Sequence, residues 1–258
     1  MKFGISHLSL VPVRREPADF HEQVNQILFG EKFEILEPYE KWVLVKTDHD
    51  GYQGWIDRKQ YIPLDEPSYR KYNPLSFGIS RSAFSSLTTS IGITSYLSCG
   101  SLIPMPENHT FQLGKETYYF RDELIYKPQF DSELLNESIH LFLNTPYQWG
   151  GRSILGVDCS GFTQLMFRLM GINLPRDASQ QIELGGSISF MEESKMGDLA
   201  FFGPEDGRIT HVGILMGDNR IAHASGKVKI DWVDHEGIFN RESGIYTHSL
   251  RAIKRVIA

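Results

Sequence analysis

The sequence predicts an α+β fold in which two β-rich segments precede a domain that begins with helices and ends with a sheet. The first observation is a series of short strand-forming runs separated by tight turns over residues 1–63, which is typical of a small closed barrel. The second is a set of apolar residues spaced as one buried helix face after Cys159: Phe162, Leu165, Met166, Leu169 and Met170. The third is a set of four strand-like segments beyond that helix: residues 198–203, 211–216, 220–225 and 249–257. Helices first and a sheet second indicate an α+β plan.

The composition excludes several classes of function. The 258 residues carry a net charge of -6, which gives no electrostatic support for binding nucleic acid or an anionic membrane. The two cysteines, Cys99 and Cys159, are too few for a disulfide framework or a cysteine-rich zinc site. No apolar run is long enough to span a membrane, and residues 1–4 do not begin a signal peptide. We therefore expect a cytoplasmic monomer, or a periplasmic or secreted one if a leader was removed.

The amino-terminal half is predicted to contain two β-barrels. Trp42-Val43-Leu44-Val45-Lys46 is rich in strand formers, and His49-Asp50-Gly51 indicates a hairpin turn before Gly54-Trp55-Ile56. With Leu28-Phe29-Gly30-Glu31, these runs resemble bacterial SH3-like domains. Residues 88–96, 100–104 and 117–120 predict strands of a second barrel, in which Cys99 is a packed thiol. The predicted domains are 1–63, 64–128 and 129–258.

Cys159 lies at the predicted start of a helix. Asp158 is a good N-cap residue, and Gly171 followed by Pro175 indicates the end of that helix. Unpaired backbone N–H groups and the helix dipole favour an anion in the first turn. We therefore expect a lowered pKa for the Cys159 thiol, although an ordinary buried cysteine is the alternative.

Two histidines complete a candidate catalytic group. His211 opens one predicted strand and His223 lies in the next, with a hairpin at residues 217–219 between them. If Met216 pairs with Arg220, both imidazoles lie on one face, as diagonal neighbours about 7–8 Å apart. A cysteine at a helix start and a histidine on a facing strand are what thiol acyl transfer requires. The alternatives are half-buried structural histidines, or a zinc site that would lack a further protein ligand. We expect no metal and no cofactor.

Six motifs resemble the NlpC/p60 cell-wall cysteine peptidases. They are Pro146-Tyr147-x-Trp149-Gly150-Gly151, Gly156-x-Asp158-Cys159-Ser160-Gly161-Phe162, Leu174-Pro175-Arg176-Asp177-Ala178-x-Gln180, Gly197-Asp198-Leu199-x-Phe201-Phe202, His211-Val212-Gly213-Ile214 and Ile221-Ala222-His223-Ala224. The resemblance spans residues 131–258. It implies a papain-like core with Cys159 as the nucleophile, His211 as the base and His223 as the third catalytic residue.

Two SH3-like domains before such a core resemble the γ-D-glutamyl-L-diamino acid endopeptidases of this family. The resemblance implies cleavage of murein stem peptides between γ-D-Glu and L-Lys or meso-diaminopimelate. It also implies that the first barrel binds the free amino group of L-Ala. The implied substrate-binding residues are Tyr147, Trp149, Asp158, Ser160, Asp177, Ser179, Tyr52 and Glu22, and Glu16 and Asp19 compete with Glu22. An inactive murein-peptide-binding adaptor and a general murein endopeptidase or amidase are the alternatives.

Overall fold

A computed structural model describes residues 2–73, 76–241 and 243–257 and divides the chain into two compact units. The amino-terminal unit is the chain up to Pro128 together with Trp149–Leu155. The carboxyl-terminal unit is Gln129–Gln148 together with the chain from Gly156 onward. No described helix is long and apolar enough to cross a membrane.

The first seven strands of the amino-terminal unit form one antiparallel sheet. They are β1 (Phe3–Ser6), β2 (Leu10–Arg14), β3 (Gln23–Leu28), β4 (Lys32–Tyr39), β5 (Trp42–Thr47), β6 (Gln53–Asp57) and β7 (Tyr61–Leu64). The order in the sheet is β3-β2-β6-β5-β4-β1-β7. The predicted hairpin is confirmed: Lys46 pairs with Gln53, and Gly51 adopts φ +69°, which glycine tolerates without steric cost.

Residues 66–125 contain a short helix and two further antiparallel sheets. The elements are α1 (Glu66–Lys71), β8 (Phe77–Ser80), β9 (Phe84–Thr89), β10 (Thr94–Ser98), β11 (Leu102–Pro104), β12 (Thr110–Leu113), β13 (Glu116–Phe120) and β14 (Leu124–Ile125). The sheets are β10-β9-β13-β12 and β11-β8-β14. The single strand predicted over residues 88–96 is wrong, because Gly92 at φ +83° turns the chain between β9 and β10.

The hydrophobic residues of this unit form two clusters. One lies within the first sheet and includes Val11, Phe33 and Ile56. The other joins Phe29 and Leu64 to apolar side chains of β8–β13, so both sides of the predicted boundary at 63/64 share one core.

The segment Trp149–Leu155, which contains β15 (Arg152–Ser153), is held in the amino-terminal unit by a buried ion pair. The Arg152 guanidinium donates to Glu31 Oε1 at 2.9 Å and to the Gln26 carbonyl at 2.7 Å. Arg152 is 0% exposed and Glu31 1% exposed, so loss of either side chain would leave the other charge buried without this ion pair.

The carboxyl-terminal unit contains helices on one side of a closed sheet. Its elements are α2 (Ser132–Phe142), β16 (Gly156–Val157), α3 (Cys159–Leu169), α4 (Ala178–Gln181), β17 (Gly186–Ile188), β18 (Leu199–Phe202), β19 (His211–Gly217), β20 (Arg220–Ser225), β21 (Lys227–Val233), β22 (Gly237–Asn240) and β23 (Ile245–Arg255). The order is β17-β23-β18-β19-β20-β21-β22, and β22 also pairs with β23. That second pairing closes β18–β23 into a six-stranded barrel, and α3 packs against β19 and β20.

The predicted helix after Cys159 and the four predicted strands are confirmed. Asp131 caps α2, as its position before that helix predicts. The predicted pairing of Met216 with Arg220 is wrong, since Gly217 pairs with Arg220 across a bulge. Ile214 nevertheless faces Ala222, so His223 still lies beside the strand that His211 opens.

Candidate active site

Cys159 is the first residue of α3 and is almost fully buried, at 7% exposed. The Asp158 carboxylate caps the helix by accepting the Gly161 N–H at 2.7 Å. Backbone hydrogen bonds from Ser160 and Val212 reach the thiol. Val212 follows His211 in β19, so the packing of α3 on this strand brings Cys159 next to the predicted base.

The thiol is not predisposed to ionise, contrary to the expectation from its helix position. Burial raises the pKa of Cys159 to about 11, and the negative charge of Asp158 adds to the rise. The backbone N–H groups of Val212 and Ser160 and the Arg176 charge lower this pKa, but burial outweighs them. The unliganded protein therefore holds a neutral thiol.

His211, His223 and Asp231 form a continuous hydrogen-bonded chain. His211 Nε2 lies 2.9 Å from His223 Nδ1, and His223 Nε2 lies 3.1 Å from Asp231 Oδ2. The same carboxylate oxygen accepts from Lys229 Nζ at 2.9 Å. The two imidazoles thus bond to each other directly.

The Asp231 carboxylate determines which ring nitrogens carry hydrogen. An ionised carboxylate only accepts, so a neutral His223 carries its hydrogen on Nε2 and accepts at Nδ1. His211 must then donate from Nε2, which leaves its Nδ1 as the unprotonated nitrogen. The tautomer therefore gives His211 a lone pair on Nδ1 that can accept a proton.

Burial also keeps both imidazoles neutral. The pKa of His211 is well below its usual value because of burial, reinforced by the charges of His223, His248 and Lys229. Burial lowers the pKa of His223 as well, with Asp231 acting in the opposite direction. Cys159 and His211 are therefore a neutral pair near pH 7, suited to transferring one proton during attack.

His248 is a third histidine at this site. Its ring stacks on that of His211, with centroids 4.2 Å apart and an angle of 28° between the planes. Burial lowers the pKa of His248 to about 4, so it packs as a neutral ring. Phe202 lies against both rings and forms an apolar wall.

Asp231, Lys229 and His248 were not identified from the sequence. Lys227–Val233 is an alternating run directly after β20, and this pattern could have been read as a strand paired to it. In that register His223 faces Lys229 and Ile221 faces Asp231, which puts both charged residues on the same face of the sheet as His223. No local signal marks His248. It reaches the site because β19 and β23 both pair with β18, so that both histidine rings pack on Phe202.

Asp158 and Ser160, both predicted to bind substrate, lie in a buried cluster with Arg176. Arg176 donates to the two Asp158 oxygens at 2.9 and 2.5 Å and to Ser160 Oγ at 2.9 Å. Arg176 is 2% exposed and Asp158 5% exposed. The geometry therefore gives this cluster a structural role at the start of α3, and substrate contacts of Asp158 and Ser160 stay predictions.

Tyr147 lies near the nucleophile. Its backbone forms a bridge to Val157, two residues before Cys159, and its N–H donates to the Gly226 carbonyl at 2.9 Å. Burial raises the pKa of the Tyr147 hydroxyl, and the charges of Cys159 and Asp158 contribute to the rise. The structure thus brings Tyr147 to the candidate site with its hydroxyl protonated.

Asp177 and Ser179 belong to the short helix α4. Asp177 caps it in a reciprocal capping box with Gln180, and Ser179 is exposed in its first turn. Direct substrate contacts of these two residues stay predictions.

Three predicted substrate-binding residues lie in the amino-terminal unit. Trp149 donates from Nε1 to Glu22 Oε1 at 2.6 Å, which joins two of the predicted substrate-binding residues. Arg15 donates to the other Glu22 oxygen at 2.6 Å, and this bond lowers the pKa of Glu22. Tyr52 is half-buried against the core of the first sheet. Glu22 is thus an ionised carboxylate that already holds one cation.

Among residues 2–73, 76–241 and 243–257, no group of three His, Cys, Asp or Glu side chains is arranged to hold a metal ion. The facing nitrogens of His211 and His223 are hydrogen-bonded to each other.

Known proteins resemble both units of this chain. Residues 144–246 match the NlpC/P60 family, and residues 13–60 match the bacterial dipeptidyl-peptidase SH3 domain. The chain is 29% identical over 223 residues to γ-D-glutamyl-L-lysine dipeptidyl-peptidase of Bacillus subtilis, covering 78% of this chain and 71% of the relative. It is 27% identical over 261 residues to dipeptidyl-peptidase 6 of Lysinibacillus sphaericus, covering 86% of this chain and 88% of the relative.

A crystal structure of an NlpC/P60 family protein from Bacillus cereus has the same fold. It superposes with a TM-score of 0.84 at 19% identity, covering 99% of this chain and 100% of that one. The chain therefore contains an NlpC/P60 domain together with an amino-terminal bacterial SH3 domain.

Proposed function

We propose that this protein is a cysteine peptidase that hydrolyses the bond between γ-D-Glu and L-Lys or meso-diaminopimelate in murein peptides with a free amino-terminal L-Ala, releasing L-Ala-D-Glu. The observation that carries the proposal is the chain from His211 through His223 to Asp231, which leaves His211 Nδ1 unprotonated, together with the backbone hydrogen bond from the next residue, Val212, to the Cys159 thiol. The names of the two dipeptidyl-peptidase relatives support the choice of substrate. In this proposal the carboxyl-terminal unit is a papain-like core, and two SH3-like barrels precede it.

Acylation follows from this arrangement. The Cys159 thiol gives its proton to His211 Nδ1 as Sγ bonds to the γ-carbonyl carbon of D-Glu, and the carbonyl electrons move to oxygen. The Cys159 backbone N–H at the helix start can donate to this oxyanion. The C–N bond then breaks, and His211 returns the proton to the leaving amine.

Deacylation uses the same base. A water molecule gives a proton to His211 and attacks the thioester carbonyl carbon. The C–S bond breaks, Cys159 recovers the proton, and the new γ-carboxyl group leaves with L-Ala-D-Glu. Throughout, Asp231 stabilises the positive charge that appears on the two imidazoles.

Selection for a free amine is part of the proposal. An ammonium group held away from water must donate hydrogen bonds to acceptors on the protein, because burying an unpaired charge costs free energy. Glu22, Tyr52 and Asp158 are the acceptors that the sequence resemblance implies. Because Asp158 is buried against Arg176, whereas Glu22 pairs with Arg15 at the surface, Glu22→Gln disturbs the fold less and is the more informative variant.

The test is mass spectrometry of products from L-Ala-γ-D-Glu-L-Lys incubated with wild-type protein and with Cys159→Ala. We expect L-Ala-D-Glu and L-Lys from the wild type alone, and slower cleavage of the N-acetylated peptide by at least about a hundredfold. Binding without cleavage would replace the proposal with the inactive adaptor. Equal cleavage of free and acetylated peptides would instead indicate a general murein endopeptidase.

A further inference from the structure

A lysine ammonium lies at the carboxylate end of the histidine chain and takes no part in the proposed acylation steps. Lys229 Nζ lies 2.9 Å from Asp231 Oδ2, and His223 Nε2 lies 3.1 Å from the same oxygen. The Lys229 side chain is 25% exposed and that of Asp231 15% exposed. One carboxylate oxygen, partly withdrawn from water, therefore accepts from an ammonium and an imidazole at once.

The register of β20 and β21 sets up this contact. His223 is the direct cross-strand partner of Lys229, and Asp231 lies two residues further along β21. Side chains two residues apart in a strand project from one face, so all three side chains share a face of the sheet. Lys229 therefore reaches Asp231 along its own strand and lies beside His223 across the strand pair.

Lys229 and Asp231 act on the histidines with opposite signs. Burial is the main reason why the pKa values of His211, His223 and His248 are low, and the Lys229 charge lowers each of them further. Asp231 raises the pKa of His223 and His248. Burial alone would raise the pKa of Asp231 itself, but hydrogen bonds from His223 and Lys229 lower it. The carboxylate is thus ionised, and its charge is balanced by a cation in direct contact.

Other ionisable side chains surround the same contact. The Cys159 thiol lies at the start of α3, beside β19. Lys227 and Arg241 line one surface recess together with Lys229 and Asp231. Lys227 donates to an asparagine and Arg241 stacks on a tryptophan, whereas Lys229 donates to Asp231. Substituting Lys229 therefore separates a contact with the histidine chain from the general charge of this surface.

We propose that Lys229 is a positioning residue of this site, and this inference rests on the proposed function. Its ammonium orients the Asp231 carboxylate towards His223 and balances the negative charge of that carboxylate. An unbalanced carboxylate would hold a proton on the histidine pair and block His211 as a base. The ion pair instead leaves both imidazoles neutral and ready for the proton of Cys159. It also makes the protonated pair a stronger acid, which favours proton transfer to the leaving amine.

The size of the effect follows from the distances. Because Lys229 Nζ and His223 Nε2 bond to one oxygen, they lie within roughly 6 Å of each other. Two unit charges this far apart shift a pKa by about half a unit in bulk water and by about two units near a protein surface. We therefore expect the apparent pKa of the histidine pair to rise by about half a unit to two units when the Lys229 charge is removed.

The test is the pH dependence of kcat/KM on L-Ala-γ-D-Glu-L-Lys between about pH 3 and 8, a range that includes imidazole pKa values lowered by burial. In Lys229→Met the acid limb should move to higher pH by about half a unit to two units, because the histidine pair then holds its proton more tightly. Lys229→Arg keeps a cation and a donor, so its limb should stay near that of the wild type.

Lys227→Met is the matched control, because it removes a lysine of the same strand that donates to Asn144 at 2.7 Å. Its acid limb should stay in place. A limb that did not move in Lys229→Met would overturn the inference. Equal shifts in Lys229→Met and Lys229→Arg, or in Lys229→Met and Lys227→Met, would overturn it as well.

A second measurement separates this inference from the peptidase activity. The ring nitrogens of isotope-labelled histidines can be titrated by NMR in Cys159→Ala protein, with and without Lys229→Met, in the absence of substrate. We expect Lys229→Met to raise the midpoint of the His211–His223 pair by the same amount as the acid limb. An unchanged midpoint would overturn the inference even if peptide cleavage is established. A raised midpoint in a protein that cleaves no murein peptide would support the role of Lys229 and exclude only the peptidase.

Discussion

The most informative perturbation is the removal of the Asp231 carboxylate. This carboxylate lies 3.1 Å from His223 Nε2, and His223 Nδ1 lies 2.9 Å from His211 Nε2. Asp231→Ala removes the hydrogen-bond acceptor that determines the tautomers of His223 and His211. It also removes the negative charge that stabilises a protonated imidazole. Asp231→Asn keeps the shape, but its amide N–H can donate to His223 and force a hydrogen onto His211 Nδ1.

The size of the effect follows from the geometry. A hydrogen bond to a charged group contributes about 1.5–3 kcal/mol, which corresponds to roughly a tenfold to 150-fold loss in kcat/KM. Water can partly replace the carboxylate in Asp231→Ala, since the Asp231 side chain is 15% exposed. In Asp231→Asn the wrong tautomer is held in place, so we expect a loss at least as large.

The assay is kcat/KM on L-Ala-γ-D-Glu-L-Lys between about pH 3 and 8, because burial puts the pKa of His211 well below the usual imidazole value of about 6.5. Asp231 raises the pKa of His223 against the effect of burial. Its removal lowers the pKa of the histidine pair, so the acid limb of the profile should move to lower pH. A variant that was merely less well folded would lose activity without this shift.

Asp206→Ala is the matched control, because Asp206 pairs with Arg208 outside the histidine chain. It should leave both the rate and the pH profile unchanged. If Asp231→Ala kept its activity within about twofold and its profile did not move, the tautomer argument would be refuted, since the loss expected for a charged hydrogen bond is larger.

Three further predictions concern the same unit. His211→Ala should abolish turnover, whereas His223→Ala should cost less because water can replace an orienting group; the reverse ranking in kcat would exchange their roles. The rate at which iodoacetamide alkylates Cys159, monitored by peptide mass spectrometry, should still increase above pH 9, because burial raises the pKa of this thiol to about 11. A rate that is already constant at neutral pH would indicate a thiolate–imidazolium pair. Arg176→Ala removes the ion-pair partner of the buried Asp158 carboxylate, so urea unfolding should show a free energy of unfolding lower by about 3–5 kcal/mol. Arg208→Ala, which removes a surface ion pair, should leave this free energy unchanged. Equal urea midpoints for the two variants would contradict the structural role of Arg176.

Local patterns predicted the elements that carry the candidate nucleophile and base. The apolar spacing after Cys159 and the cap at Asp158 predict α3, because helix periodicity and capping act over a few residues. His211 and His223 likewise lie on strands whose boundaries follow from alternation and a turn. The sequence by itself therefore determined that Cys159 lies on α3, His211 on β19 and His223 on β20.

Only the tertiary structure decided how these residues are charged and connected. The thiol pKa depends on burial, which comes from packing α3 on the sheet, and this effect outweighs the helix terminus. Asp231 reaches His223 through the register of β21, and His248 reaches His211 because β19 and β23 both pair with β18. The placement of Arg152 against Glu31, 121 residues earlier, is equally nonlocal. Such contacts join residues far apart in the chain, and their energies depend on a surrounding dielectric that no short stretch of sequence specifies.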